Sequence, residues 1–343
     1  MSTDDTYPTK YAEYEDMFDP MQTDRQARRQ RRTRRNPTPR KEPDEAVAEL
    51  ADTTGLEAGF HPTYQAARHE EQWLLSSLSG FYDQQLITDV VAQVKGGKEA
   101  SVYRCLAHPL TGVEFLAAKV YRPRMYRTMR NDYVYREGRE ILASDGKEVK
   151  KNDSRTMRAI GKKTAFGVQV SQTSWLMHEY ATMQMLYQAG ADVPRPVEAA
   201  ENAVLMSYHG DEHMAAPTLN GVRLPLREAT ALWGQVLYNI DLMLSLGKIH
   251  GDLSAYNILY WEGKITLIDF PQVTDCYNNP NAYDILRRDI WRVGEYFQSQ
   301  GVRCVPDAVL EELWKRHVRV SPRDLLADLS VLEAERDEEE DSD

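Results

Sequence analysis

The chain has 343 residues, a formal net charge of −11, 42% hydrophobic residues and 28% charged residues. This composition lies near the average for globular proteins, and it excludes a chain that is disordered throughout. Three cysteines without a Cys-x-x-Cys pair exclude a secreted disulfide scaffold and argue against a structural zinc site. The chain has neither a run of about 18 apolar residues nor an apolar leader segment, so we expect a cytoplasmic protein without a membrane partner.

Both ends of the chain carry charged tracts that predict disorder. The N-terminal residues 1–60 are predicted to form a disordered arm. Its stretch from Arg25 to Lys41 contains nine Lys and Arg residues and no acidic residue. Two interpretations of this basic tract remain open: a solvated arm, or an arm that contacts RNA or the ribosome. At the other end, the acids within 331–343 predict a disordered acidic tail. A folded domain is therefore expected over 61–330.

Strand patterns dominate the first part of this domain, and helix patterns dominate the second. The first strand is predicted at 87–94, and a second strand directly follows the Gly-rich turn at 96–101. Further strands are predicted at 113–121, 197–199 and 203–207, and two short strands flank a turn at 257–268. Helices are predicted at 68–86, 174–188, 226–246 and 280–329. Gly247 follows the third helix and is expected to end it.

One connection stands out by its length. Residues 122–172 are rich in Arg, Lys, Tyr, Ser and Asp. A connection of about 50 residues is too long to be a passive loop in a compact domain. We predict a mobile functional loop that contains some helix.

The segment HGDLSAYNILYWEGKITLIDF at 250–270 indicates phosphoryl transfer from ATP. Asp252 is followed by Asn257 five residues later, and Asp269 follows the predicted strand pair. The transfer needs one carboxylate that orients the attacking nucleophile and accepts its proton, which is the role predicted for Asp252. It also needs an amide oxygen and a second carboxylate to hold Mg²⁺, and these are predicted to be Asn257 and Asp269.

A lysine in an apolar strand supplies the second element. Lys119 lies in the strand sequence FLAAKVY, where a buried cation is costly unless it meets an anion. The α- and β-phosphates of ATP are suitable anions, and a glutamate from a helix would be the partner at rest. Glu179 fits this role, because Trp175 and Met183 lie on the same helix face at i−4 and i+4. The alternatives are a lysine at a strand edge and a solvated glutamate.

The Gly-rich turn between the first two strands is a candidate phosphate loop. Its glycines, Gly96 and Gly97, let the backbone approach phosphates, and Lys98 and Ser101 follow in the same turn. The turn has neither GxGxxG spacing nor a Walker sequence, so its position before Lys119 is what supports the assignment. We predict that these four residues contact ATP.

The strand AVLMSYHG at 203–210 is predicted to lead into a hinge beside the adenine of ATP. Met206 would lie at the back of the pocket, and the backbone from Ser207 to His209 would bind the base. Ordinary core packing of Met206 is an equally open interpretation.

In combination these motifs resemble the RIO family of atypical protein kinases. The resemblance covers about 78–330 and rests on GKEASVY, AAKVYRP, WxxxEY, HGDLSAYNIL and LIDFPQ. It implies an α+β, small bilobal kinase-like fold, with an antiparallel sheet and a helix in an N-lobe at about 68–206 and a reduced helical C-lobe at about 211–330. It further implies an ATP- and Mg²⁺-dependent Ser/Thr kinase or ATPase. The residues that would carry out the chemistry are Lys119, Glu179, Asp252, Asn257 and Asp269.

The resemblance also implies finer features. The loop at 122–172 would be the flexible loop in which autophosphorylation can occur. Asp289, after Arg288, would brace the catalytic loop, and Asp269 would form the aspartyl phosphate attributed to the family at this position. Relatives serve maturation of the small ribosomal subunit.

Two other functions remain open at this stage. A small-molecule kinase of the aminoglycoside-phosphotransferase type shares HGDL-x-x-x-N, although such enzymes usually have HP-x-N there and a longer helical C-terminus. A catalytically inactive ATP-binding scaffold with an RNA-binding arm is the other alternative. The presence of all five residues predicted for the chemistry argues against that scaffold.

Overall fold

The computed structural model describes residues 60–66, 68–97, 100–121, 142, 149, 153–162 and 164–318. They divide into two compact units. The first unit contains the described residues up to Pro217 together with Thr266–Pro271, and the second contains Thr218–Ile265 and the described residues from Gln272 onward. The predicted acidic tail, all of the predicted arm except residue 60, and most of 122–152 lie outside the described residues.

Six helices and nine strands are present in the described part of the chain. The helices are α1 (Arg68–Asp83), α2 (Ser154–Gly161), α3 (Ala165–Gln188), α4 (Leu226–Ser245), α5 (Ala282–Ser299) and α6 (Pro306–His317). The strands are β1 (Ile87–Gly96), β2 (Ala100–Ala107), β3 (Phe115–Tyr121), β4 (Pro196–Ala199), β5 (Ala203–Ser207), β6 (Lys248–Ile249), β7 (Ile258–Trp261), β8 (Lys264–Leu267) and β9 (Thr274–Asp275).

The first unit is built on a five-stranded sheet in the order β1-β2-β3-β5-β4, with antiparallel neighbours throughout. Side chains alternate between the two faces of a strand, so every second residue points to the same side. One face carries the fully buried Tyr103, Leu116 and Val120, which belong to one core cluster with Leu78 and Phe81 of α1. Burial of each large side chain contributes roughly 1.5–3 kcal/mol to stability. The face of β3 that carries Leu116 and Val120 is therefore held in the core, and Lys119 lies on the opposite face.

Helix α3 begins nine residues earlier than the sequence analysis predicted. The prediction began at residue 174, whereas the helix begins at Ala165, where the Thr164 side chain accepts a hydrogen bond from the Gly167 backbone at 3.2 Å. Its first turns read AFGVQVSQT, which has too few apolar residues at helical spacing to reveal a helix. The predicted loop over 122–172 is therefore wrong at its end. Part of its predicted helix content is α2, which packs against α3.

The second unit is mainly helical. Leu232, Val236 and Ile240 of α4 are buried, and Trp233 of α4 packs against Phe297 of α5 with ring centroids 5.3 Å apart. Helix α4 ends at Ser245, and Gly247 has φ +71°, a conformation that favours glycine. The antiparallel pair of β6 and β9 was missed by the sequence analysis, because two residues per strand are too few to show alternation.

These elements confirm the predicted α+β kinase-like fold class, with an antiparallel sheet and helices in the first unit and a mostly helical second unit. Within the described ranges, no helix has the length and apolar character needed to cross a bilayer.

Candidate active site

Lys119 lies on the face of β3 that points away from the α1 core. Its Nζ is 2.6 Å from Glu179 Oε1 and 2.6 Å from Asp269 Oδ1, and only 12% of the side chain is exposed. Burial alone would lower the pKa of Lys119, but the carboxylates of Asp269 and Glu179 outweigh burial and raise that pKa well above its ordinary value. The lysine therefore stays charged and needs an anionic partner at all times.

Glu179 is held by two hydrogen-bond donors in the first unit. Its Oε1 accepts from Lys119, and its Oε2 accepts from the Tyr121 hydroxyl. The Tyr121 ring packs edge-on against Trp175, with centroids 5.0 Å apart, and Glu179 is 3% exposed. Tyr121 was missed by the sequence analysis. Its position two residues after Lys119, on the same face of the strand, is the signal that could have identified it.

Asp269 follows β8 in a backbone conformation that few residues adopt. Its φ is +75°, and it is one of three described non-glycine residues with positive φ. Asp tolerates this left-handed region better than most residues, and such backbone strain often marks functional positions. The side chain is 40% exposed, so one carboxylate both contacts Lys119 and remains accessible to ligands.

The loop between β6 and β7, in the second unit, carries the predicted base. The Asn257 side-chain nitrogen donates to the Asp252 backbone oxygen at 2.8 Å and to Asp252 Oδ2 at 3.1 Å. Gly251 has φ +83°, and an added Cβ would lie 2.3 Å from the backbone oxygen of Gln272. The loop therefore requires glycine at position 251. Within the loop, the Asn257 side chain holds the Asp252 carboxylate.

Helix α5 anchors this loop through contacts of three of its side chains. Asp289 Oδ2 accepts from the Gly251 backbone at 2.7 Å, and the Arg288 guanidinium donates to the Gly251 carbonyl. Arg292 Nη1 donates to Asp252 Oδ1 at 2.8 Å. The bracing by Asp289 was expected from the family resemblance, whereas Arg292 was not identified from the sequence. An arginine one helical turn after Arg288 lies on the same helix face, which is the only local signal.

The Gly-rich turn is only partly described. Gly96 ends β1, and a Cβ at Gly97 would lie 2.7 Å from the Ala100 carbonyl, so position 97 requires glycine. Lys98 lies outside the described residues. Ser101 pairs with Val120 and is buried on the core face, whereas Lys119 pairs with Val102. The Ser101 side chain therefore points to the sheet face opposite Lys119, and only its backbone is left to contact a nucleotide bound beside Lys119.

The predicted hinge follows β5 in the first unit. Met206 shares its sheet face with Val204, which pairs with Lys119. The Ser207 backbone N–H donates to the Arg195 carbonyl, and the His209 carbonyl accepts from the Ala216 N–H, each at 2.9 Å. The His209 ring lies 3.3 Å from Ser207 Oγ, and burial lowers the pKa of His209. The imidazole is therefore neutral near pH 7.

The two predicted Mg²⁺ ligands, Asn257 and Asp269, each carry an oxygen donor. Within the part of the chain that the structure describes, no three His, Cys, Asp or Glu side chains cluster as a metal site. Asp252 takes up the Asn257 amide nitrogen, so the Asn257 amide oxygen is the atom that can bind a cation. In the first unit, Asp269 offers a half-exposed carboxylate. Amide and carboxylate oxygens are donors that suit Mg²⁺, so each residue by itself is compatible with its predicted role.

Comparisons with known proteins show which sequences the chain resembles. The family model of the RIO domain matches residues 114–309. The serine/threonine-protein kinase RIO1 of Chaetomium thermophilum is 27% identical over 235 residues, which is 66% of this chain and 42% of that protein. The RIO-type serine/threonine-protein kinase Rio1 of Thermoplasma acidophilum is 32% identical over 142 residues, covering 41% of this chain and 73% of its own length. The match to the Haloferax volcanii protein of the same name has 27% identity and covers 64% of this chain and 66% of that protein.

Proposed function

The chain belongs to the RIO domain family, and on this premise we propose that it is an ATP- and Mg²⁺-dependent atypical Ser/Thr protein kinase that can also act as an ATPase. Relatives that carry the domain are named serine/threonine-protein kinases. The match covers 42% of the length of the Chaetomium relative. Because more than half of that protein has no counterpart in the match, the activity of this chain is proposed from its own residues as well as from the family.

The observation that carries the proposal is the buried contact of Lys119 with two carboxylates. Its Nζ lies 2.6 Å from both Glu179 and Asp269 in the first unit. A lysine that is permanently charged and has one half-exposed acidic partner can exchange that partner for the phosphates of ATP. Glu179 then keeps the ammonium in place while the triphosphate binds.

The remaining residues divide the chemistry between them. Asp252 orients the attacking hydroxyl or water and accepts its proton, and Asn257 and Asp269 each supply an oxygen to Mg²⁺. When bound, the metal neutralises charge on the phosphate oxygens. The backbone of the Gly96–Gly97 turn is proposed to bind the phosphates. The hinge from Ser207 to His209 is proposed to bind the adenine through backbone groups other than the Ser207 N–H and the His209 carbonyl, which are bonded to Arg195 and Ala216.

The direct test incubates the purified full chain with ATP labelled at the γ-phosphate, with Mg²⁺ or with EDTA. We expect labelled phosphate release, self-labelling or both, each lost with EDTA. A panel of sugars, amines and choline is added in parallel as acceptors. Turnover that appears only with one of these small molecules would replace the proposal by a small-molecule kinase, and no Mg²⁺-dependent turnover would reject it.

Lys119→Ala and Glu179→Ala should differ in the size of their effects. Lys119→Ala removes the cation proposed to touch the phosphates, so we expect a loss of kcat/KM for ATP of roughly 100-fold or more. Glu179→Ala removes only a positioning contact and should act less strongly. Steady-state ATP hydrolysis gives kcat and KM, and thermal unfolding reports whether each variant folds. A Glu179→Ala variant with wild-type kinetics would contradict the positioning role.

We also propose that the basic tract contacts RNA, which is one of the two interpretations that the sequence leaves open. The support is its charge: nine Lys and Arg between Arg25 and Lys41. Each phosphate contact releases counterions, so affinity for single-stranded RNA should fall steeply with salt, with a log–log slope of about −0.7 per contact. Deleting residues 1–44 should flatten this slope without lowering ATP turnover. An unchanged slope in fluorescence anisotropy titrations would favour a solvated arm.

A further inference from the structure

Arg292 makes the contact with the predicted base that the sequence analysis missed. Its Nη1 donates to Asp252 Oδ1 at 2.8 Å, while Asp252 Oδ2 accepts from Asn257. The carboxylate of Asp252 is thus held at both oxygens, by a cation from α5 and by an amide from its own loop. All three residues lie in the second unit.

The exposure of the two ionic side chains is unequal. The Arg292 side chain is 4% exposed and the Asp252 side chain is 35% exposed. A guanidinium cannot lose its proton in a protein, so a buried arginine remains a cation and has to face an anion. The buried member of the pair is therefore fixed, and the partly exposed carboxylate is the member that can reach a substrate.

Resting on the proposed function, we propose that Arg292 is a positioning residue that keeps the Asp252 carboxylate aimed at the acceptor hydroxyl. Donors on both of its oxygens, one from Arg292 and one from Asn257, fix the rotation of this carboxylate. A carboxylate offers about four acceptor positions, so a bond from Arg292 does not prevent Asp252 from accepting another from a hydroxyl. Arg292 therefore acts through Asp252 and does not itself contact the reacting atoms.

The other charged and titratable groups near the loop must be kept constant in a test. Arg288 and Asp289 of α5 bind the backbone of Gly251, and the His250 ring nitrogen Nδ1 lies 3.3 Å from the Asp252 backbone nitrogen. All three remain in place when only Arg292 is replaced. A difference between wild type and an Arg292 variant thus reports the cation at position 292.

The test compares Arg292→Gln and Arg292→Lys with wild type in Mg²⁺-dependent ATP turnover at one fixed pH. For Arg292→Gln we expect kcat to fall about 10- to 100-fold with little change in KM for ATP, since misplacing a reacting group costs up to about 100-fold. Arg292→Lys keeps a cationic donor at this position and should recover part of the lost kcat.

Arg287→Gln is the matched control, because Arg287 lies on the same helix and its exposed side chain pairs with Asp307. It should leave kcat and KM unchanged. An Arg292→Gln variant that folds and keeps the wild-type kcat would overturn the proposal, and so would a rise in kcat.

A double-mutant cycle in thermal unfolding separates this inference from the proposed function. Asp252→Asn, Arg292→Gln and the double variant are compared for their shifts in Tm. We expect the double variant to lose less than the sum of the single losses. If the Tm losses are coupled but the wild-type chain has no ATP turnover, the contact stands and both the kinase activity and the positioning role are rejected. Additive losses with an active wild type would overturn the inference alone.

Discussion

Asp252→Asn should lower the rate of phosphoryl transfer by about 10²–10⁴-fold, which is the typical contribution of a positioned general base. The substitution keeps the shape of the side chain and removes its negative charge. Lys119, Glu179 and Asp269 lie in the other unit and are unaltered, so the affinity for ATP should stay close to that of wild type. Single-turnover transfer from γ-labelled ATP measures the rate, and equilibrium binding measures the affinity.

The same substitution should also lower stability. Arg292 is almost completely buried and faces Asp252 at 2.8 Å. Removing the negative charge leaves this guanidinium with a neutral acceptor, at a cost of roughly 1–3 kcal/mol for an impaired buried hydrogen bond. Because part of Asp252 is exposed and solvated, we expect the lower end of that range, seen as a reduced unfolding midpoint in urea. The assays should therefore be run well below the melting temperature of the variant.

A matched control is available in the same unit. Asp241 is 35% exposed, the same as Asp252, and it also pairs with an arginine, Arg316, at 2.7 Å. Asp241→Asn removes an Asp–Arg ion pair away from the predicted chemistry, so it should alter stability without changing turnover. If Asp252→Asn turned over ATP at the wild-type rate with wild-type affinity, Asp252 would not take part in the mechanism.

The contact of Lys119 with Glu179 shows what sequence patterns can predict. The lysine stands in an apolar strand, and the glutamate stands on an apolar helix face. Each charge is costly to bury alone, so the two can be expected to meet even without knowledge of the fold. The structure places them 2.6 Å apart. Most of the strands and helices were predictable for a related reason, because they have the length and spacing that patterns reveal, whereas the kinase-like fold class came from the resemblance of the motifs to the RIO family.

Arg292 shows where sequence patterns stop. The helix segment LRRDIWRVGEYF contains three arginines, and their spacing shows only that Arg288 and Arg292 share one helix face. What that face contacts depends on how α5 packs within the second unit, which is a tertiary property. Ser101 illustrates the same limit in a strand: its place in the turn is readable, but the face to which its side chain points follows from the pairing with β3. The assignment of the site residues to ATP and Mg²⁺ remains a prediction.

Asp269 should become covalently phosphorylated during ATP hydrolysis. Its carboxylate is 40% exposed, and its backbone has φ +75°, a conformation that clusters at functional sites. At rest Lys119 contacts it at 2.6 Å, and bound phosphates would compete for that ammonium. In the expected step, a carboxylate oxygen bonds to the γ-phosphorus as the bond from that phosphorus to the bridging oxygen breaks and ADP leaves. Water then attacks the acyl phosphate, which releases phosphate and restores the carboxylate.

Hydroxylamine distinguishes this intermediate from ordinary self-phosphorylation. It cleaves an acyl phosphate, whereas phosphoserine and phosphothreonine survive it. We expect brief incubation with γ-labelled ATP and Mg²⁺, without added protein substrate, to label the chain, and we expect hydroxylamine to remove most of that label. An excess of unlabelled ATP should chase the hydroxylamine-sensitive label as free phosphate at a rate compatible with kcat.

The control for this chemistry cannot be Asp269→Asn alone, because that variant is expected to lose Mg²⁺ binding and labelling together. Hydroxylamine-treated and untreated aliquots of the same wild-type sample provide the comparison, and peptide mapping after borohydride reduction of the acyl phosphate identifies the labelled residue. Label that survives hydroxylamine entirely and maps to serine or threonine would leave Asp269 as a metal ligand only. The protein would then act as a self-phosphorylating kinase, with the acceptor expected in the predicted loop over 122–172.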